Sequence, residues 1–282
     1  MASKSLTRTT VYHSRISLVK TVMDYGTKSE TDLTNFMTKL MTKDMISGVI
    51  KSNFDWHFGD VQETQEHIFC KLGKIRKKKE KTKFDDKTKK FIEIKSDDED
   101  IFISHMLFDK KNHFFLFEER PEVGYKELIF VITESVKKLF DREIHIDILP
   151  NKLEVTRVLK DANKITKARF LLKPSNPDNS EDIRRMDDLI KDIRAKKAKM
   201  EFDNDDGLEF KKSSTFKSAL SLSNRGFGDF NLDYEFADGV KHKFSSKKKQ
   251  LKETMPKPKS DDDWKKKLIQ QLKNTIDLLN RK

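Results

Sequence analysis

The sequence predicts an α+β protein with a mainly antiparallel sheet, and three observations carry that expectation. Two apolar runs, residues 101–108 and 113–117, flank the polar turn Asp109-Lys110-Lys111-Asn112, which is the pattern of a β-hairpin. Tyr125, Leu128, Ile129, Ile132, Val136, Leu139 and Phe140 then recur at helical spacing, so one stripe of a helix faces apolar surface. From Ile144 the period drops to two: Ile144, Ile146 and Ile148 alternate with His145, Asp147 and Leu149, as in a strand with one better-buried face. This β-β-α-β unit is the best-specified part of the chain, and it holds no catalytic signature.

Upstream, residues 11–19 read as a first strand, with Tyr12 and Ile16 among polar neighbours. A helix is expected over 30–45, where Leu33, Phe36, Met37, Leu40 and Met41 share a face and Ser29 stands in the capping position. Residues 49–58 look extended, and 67–75 form a strand with Ile68, Cys70 and Leu72 on one side. Strand 11–19, helix 30–45, strands 67–75 and 101–117, helix 125–140 and strand 144–149 together approximate β-α-β-β-α-β, a ferredoxin-like order. Folds of that kind host unrelated activities, so the order bounds architecture alone.

Downstream, a short helix is expected at 152–160 and a strand at 165–173, stopped by Pro174 and Pro177. Ile183, Met186, Ile190 and Ile193 predict one long helix over 181–201, and a further short helix is read at 213–222. Residues 227–236 and 240–244 read as a hairpin turned by Asp238-Gly239. The expected organisation is one α+β domain over 1–245 with a basic loop at about 76–90, a basic linker over 246–259, and an amphipathic helix over 260–282. Trp264, Leu268, Leu272, Thr275, Ile276 and Leu279 give that last helix an apolar face. It needs a surface to cover: its own sheet, a protein partner, or a second copy in a homo-oligomer.

Composition narrows the class. Hydrophobic residues make up 35% of the 282 and charged residues 38%, so the core must be economical and the surface densely charged. The 21 Phe residues speak for a packed core, since disordered chains lack aromatics. A net charge of +12 points toward polyanions such as nucleic acid or toward an anionic membrane surface, or else serves solubility alone. No run approaches the ~20 apolar residues of a spanning helix, and no secretory signal is visible, so no membrane partner is expected. The single Cys70 excludes an intrachain disulfide and fits a reducing, cytoplasmic setting.

Two kinds of candidate chemistry stand out. Glu93-Ile94-Lys95, with Asp86 upstream, has the skeleton of a metal-dependent nuclease, in which carboxylates bind a divalent ion and the lysine orients water. The competing reading is that these are polar loop residues in a chain rich in both types. His67 and Cys70 form H-x-x-C without a second pair, so Cys70 is expected in the core, and no metal or cofactor site is expected. The basic tracts are the stronger signal. Residues 71–90 hold eleven Lys or Arg against three acids, a density that favours water or phosphate over a core. Lys74, Arg76, Lys77, Lys78 and Lys79, the helix face with Arg184 and Arg185, and Lys247, Lys248 and Lys249 are the candidate phosphate contacts. Phe84 and Phe244 lie beside them as stacking surfaces. A protein-interaction module whose charge only confers solubility remains a third reading.

The segment Arg169-Phe170-Leu171-Leu172-Lys173-Pro174-Ser175-Asn176-Pro177-Asp178, followed by a charged helix, resembles part of a bacterial family of unknown function. Members of that family occur on mobile elements and in phage-defence loci, and there a comparable strand-Pro-Asn-Pro-helix segment follows an aromatic hairpin and a helix. The likeness covers about residues 67–201, with Ser175 interposed in the Pro-Asn-Pro pattern. The family has no assigned catalytic residues, so the resemblance transfers no site. It implies a setting: an intracellular antiviral, abortive-infection protein.

Overall fold

The computed structural model describes residues 7–19, 29–46, 48–50, 52–76, 80–85, 90–95, 100–175 and 180–280. Strand β1 (Arg8–Leu18) is the spine of its larger sheet. One edge of β1 pairs with β7 (Phe114–Glu119). The other edge is shared: its first half pairs with β13 (Lys252–Pro256) and its second half with β8 (Ile144–Ile148). Beyond β7 lie β6 (Ile101–Asp109), β3 (His67–Arg76) and β2 (Phe54–Glu63), every pairing antiparallel. Helix α2 (Tyr125–Phe140) joins β7 to β8 across β1, a split β-α-β. The order β8-β1-β7-β6 keeps the expected ferredoxin-like grammar. The hairpin β2–β3, placed between α1 (Ser29–Thr42) and β6, widens the sheet. Strands β4 (Glu80–Asp85) and β5 (Lys90–Lys95) form a separate two-stranded hairpin between β3 and β6.

Both faces of this sheet are covered. Tyr12, Ile16, Phe108, Phe115 and Phe117 pack with Leu33, Met37 and Leu40 of α1 and with Leu128, Ile132 and Val136 of α2. On the opposite face, Val11, Phe69, Leu107, Phe114 and Leu116 pack under Trp264, Leu268 and Leu272 of α6 (Asp261–Asn280). The unbroken run Phe114-Phe115-Leu116-Phe117 follows directly, because neither side of β7 meets water. Burying those three α6 side chains contributes roughly 1.5–3 kcal/mol each.

Polar contacts fix the first turn of α6. Ser260 Oγ accepts from the Asp263 N–H at 3.2 Å. The His105 ring stacks on Trp264 at 4.3 Å, its Nδ1 lies 2.8 Å from Glu118 Oε2, and Lys71 Nζ reaches Asp261 at 2.7 Å. Glu118 is buried, which by itself would raise its carboxyl. Hydrogen bonds from His105 and Thr9 and the Arg120 charge hold it below the usual range.

A second, smaller sheet has the order β10-β9-β11-β12 and its own core. Its elements are α3 (Lys152–Asp161), β9 (Lys164–Leu172), α4 (Glu181–Asp192), β10 (Ala198–Asp203), α5 (Ser214–Asn224), β11 (Gly228–Glu235) and β12 (Lys241–Ser245). All of them lie in sequence between β8 and β13. The outgoing and returning strands are tied together: Leu251 N donates to Leu149 O at 2.6 Å and Asn151 N to Lys249 O at 2.8 Å. Across the junction, the buried Arg15 guanidinium lies between the rings of Phe114 and Phe227, 4.7 and 4.5 Å from their centroids. It also donates to Asn112 O and Arg225 O. Gly226 sits at φ +86°, where a Cβ would come within 2.7 Å of Leu149 and 2.9 Å of Arg15.

Two expectations change. The helix read over 181–201 stops at Asp192, Arg194 takes a left-handed φ of 54°, and Ala198–Asp203 becomes β10, paired with β9. After Ile190 the apolar period switches to two, with Ala198, Met200 and Phe202 facing the core. Ile193, counted in the helical stripe, is 64% exposed. The stretch 246–259 read as a linker contains β13, whose Met255 packs in the α6 core. The hairpin at Asp238-Gly239 forms as expected, with Gly239 at φ +79°.

Two outcomes test this architecture. Ile132→Asp places an unpaired charge in the core beneath α2 and is expected to cost more than about 3 kcal/mol, whereas truncation after Pro258 uncovers Phe69, Leu107 and Leu116 and lowers the melting temperature. An unchanged melt in the truncated chain would show that α6 adds nothing to the fold. The second outcome concerns pH. Burial pushes His13, whose Nδ1 lies 2.7 Å from Thr275 Oγ1 of α6, from 6.5 down to about 4. Between those values the unfolded chain takes up a proton that folded His13 refuses, so stability is full above about 6.5 and falls as pH drops toward 4. Denaturant melts at pH 7 and pH 5 should show the loss, and His13→Gln should shrink it.

Candidate nucleic-acid interface

Helix α3 begins where Asn151 caps it, its side chain accepting from the Leu153 and Glu154 amides. Its apolar residues Val155 and Val158 turn to the core of the smaller sheet, which leaves Glu154, Arg157 and Asp161 on the outward side. Register brings the polar positions of three strands level: Asn231 stands opposite both Arg169 and Ser245, and Asp233 opposite Lys243. Between α3 and these strands lies a groove of about 430 Å³. Five cations line it (Arg157, Arg169, Lys243, Lys248, Lys249) against three acids (Glu154, Asp161, Asp233), and Tyr234, Phe236 and Phe244 supply aromatic wall.

The ion pairs of the groove are loose. Arg157–Asp161 and Lys249–Glu154 each span 3.7 Å, Arg169–Asp233 3.9 Å and Lys243–Asp233 4.0 Å, all longer than a hydrogen bond, while Arg169 also reaches Glu201, outside the groove lining, at 3.4 Å. Pairs of that kind in solvent contribute little, so these cations keep most of their capacity for an incoming anion. Burial holds the Tyr234 phenol above its usual value. The Arg157 charge works against that shift, while Asp161 and Glu154 reinforce it, which places the hydroxyl within their field.

The residues singled out from the sequence are divided by the fold. Lys248 and Lys249 lie in the groove, with Phe244 in its wall. Lys247 stands just outside, 3.2 Å from Asp229, whose carboxyl is raised by burial and by Asp147. Arg184 is exposed on α4, and Arg185 donates to Ser214 Oγ at 2.6 Å. Lys74 is only 8% exposed; its Nζ lies 2.7 Å from Glu127 and 4.2 Å from the Phe54 ring centroid, so it is committed to internal contacts. Arg76 pairs with Asp100 at 3.1 Å. Lys77, Lys78, Lys79 and Asp86 lie outside the described residues. Glu93 and Lys95 stand on β5 opposite Thr82 and Glu80.

Arg157, Arg169 and Lys243 escaped the sequence reading, because each is an isolated cation in a separate element. The signal was the polar alternation of β9 and β12, and only the strand register turns it into a cluster. Cys70 is buried in the core, where burial raises its thiol. Among the described residues no three His, Cys, Asp or Glu side chains converge as a metal site, and no helix is long and apolar enough to cross a membrane.

Fold and site thus define an α+β protein with two antiparallel sheets and a basic, aromatic-walled groove on the smaller one. The chain belongs to the family described as domain of unknown function (DUF4747), whose model matches residues 38–274 and so takes in the smaller sheet, the larger sheet apart from β1, and most of α6. No curated protein matches the chain.

The partition of cations is testable. Lys74→Glu should lower the melting temperature clearly, since it sets a second carboxylate against Glu127 over the Phe54 ring. Lys248→Glu, on an exposed side chain, should shift it by no more than about 0.5 kcal/mol equivalent.

Proposed function

We propose that this chain is a nucleic-acid-binding protein that engages phosphates through the basic groove of its smaller sheet. The observation that carries the reading is the cluster of Arg157, Arg169, Lys243, Lys248 and Lys249 around an aromatic wall, with Arg157, Lys243 and Lys249 held by ion pairs of 3.7–4.0 Å. Phosphates bound there release counterions, which supplies affinity without sequence preference. The net charge of +12 adds long-range attraction, to which the exposed Arg184 and Arg185 of α4 contribute. The resemblance of the segment 169–178 supplies the biological setting of the proposal: a cytoplasmic defence protein that senses or restrains an invading phage through its nucleic acid.

A protein-interaction module is the rival reading, and the stripe of the last helix does not speak for it, since that stripe packs on Phe69, Leu107 and Leu116 of its own sheet.

Anisotropy of labelled single- and double-stranded DNA and RNA at two salt concentrations tests the proposal. Affinity should fall steeply as salt rises. Changing Lys243, Lys248 and Lys249 together to Glu should weaken every ligand and reduce the salt slope by about 2, at roughly 0.7–0.9 per phosphate lost. Absence of binding to all four ligands at low salt would end the nucleic-acid reading.

A further inference from the structure

We infer that the groove seats one unpaired nucleotide, so that the nucleic acid recognised is single-stranded at this point and is read at its base edge. The inference rests on the nucleic-acid reading above and specifies the form of the ligand.

Size is the first argument. A concavity of about 430 Å³ falls among pockets that enclose one small organic molecule, the class to which a single nucleotide belongs. A duplex meets a protein across an extended surface, and its bases stay stacked and paired away from such a pocket.

Polarity is the second. Lys243, Lys248 and Lys249 come from β12 and the segment after it, while Glu154 and Asp161 come from the opposing helix. A phosphate is attracted by the first wall, whereas on the second the two carboxylates outnumber the single Arg157 guanidinium beside them. That imbalance favours a nucleotide with phosphate toward the lysines and base toward α3. Carboxylates there accept hydrogen bonds from exocyclic amino groups, as acidic side chains do from cytosine N4. In a duplex one N–H of each such amino group is engaged with the complementary strand, whereas in an unpaired base both are available.

The third argument is the aromatic wall. Phe236 is partly exposed in the groove and is braced from behind, edge-on to Tyr234 at 5.3 Å and tilted against His242 at 4.6 Å. A braced ring at the rim is a stacking platform that any base can use. Platform and carboxylates thus have separate roles. Phe236 gives affinity, and Glu154 with Asp161 favours bases bearing an amino group over thymine or uracil.

The test measures binding of short labelled oligo(dC), oligo(dA), oligo(dT) and a matched duplex to the full chain. Single strands should bind more tightly than the duplex, and oligo(dC) and oligo(dA) more tightly than oligo(dT) by roughly tenfold. The Glu154→Ala, Asp161→Ala double variant should level the three single strands without reducing the salt slope. Phe236→Ala should weaken all single strands by roughly fivefold or more. Phe236→Leu, checked by melting, keeps the apolar packing and should lose the same affinity. Duplex binding equal to single-strand binding, or variants that leave the base ranking and the affinity unchanged, would overturn the single-nucleotide site while salt-dependent binding still stood. Failure of every ligand to bind would remove the nucleic-acid reading and this inference together.

Discussion

The structure depends on the pairing of β1 with three strands at once. Along one edge it binds β7; along the other it hands over from β13 to β8 near His13. Each partner brings a layer with it. β7 and β8 are joined by α2, and β13 leads directly into α6. The strand must therefore present two faces to two different cores, and it does so with many polar side chains. His13, Ser14, Arg15 and Ser17 are all buried in it. Most of that burial is offset by specific partners: Ser14 Oγ donates to Phe115 O, His13 Nδ1 meets Thr275 while its Nε2 is buried without a partner, and Arg15 holds two carbonyls between two rings. Arg15 also fixes how the smaller sheet stands against the larger one.

The same accounting separates structural charge from available charge. Where a cation is needed for packing, its partner lies at hydrogen-bond distance and is partly shielded, as in Lys173–Asp147 at 2.6 Å or Lys71–Asp261 at 2.7 Å. Within the groove the partners stand 3.7–4.0 Å away, and Arg169 alone has a nearer one, Glu201 at 3.4 Å. Charge count along the sequence is blind to this difference. Lys74 and Lys248 look equivalent in the chain, yet one is closed inside an aromatic and carboxylate cage and the other is exposed.

Much of the larger sheet was legible from periodicity. The hairpin of β6 and β7, α2 and β8 carry clean two- and 3.6-residue patterns, and they form where those patterns lie. The last helix was legible too, but not what it covers, because Phe114 and Leu116 read equally well as part of an all-apolar strand. The region 181–203 misled because a lysine-rich stretch with scattered apolar residues fits both periods. Ile193 completes a helical stripe by spacing, and only the pairing of β10 with β9 decides against it. The hub strand was underrated for the opposite reason: its buried residues are polar, and hydrophobic patterning is silent about those. The groove was half visible. Lys248, Lys249 and Phe244 are adjacent in sequence to a basic run, whereas Arg157, Arg169 and Lys243 are neighbours only through three-dimensional register.

The shared edge of β1 also sets an order of events on the ribosome. Thr10 meets Thr254 across the sheet, 244 positions later in the chain. Until that segment emerges, the first half of β1 has an open edge, and Val11, Phe69, Leu107 and Leu116 wait without their covering helix. Long-range pairing of this kind slows folding and leaves apolar surface unprotected during synthesis. The smaller sheet is under no such constraint, since all of its strands lie within residues 164–245 and can pair as soon as they are made. The smaller sheet can thus pair before the larger one is sealed, and the larger one is complete once β13 and α6 have followed.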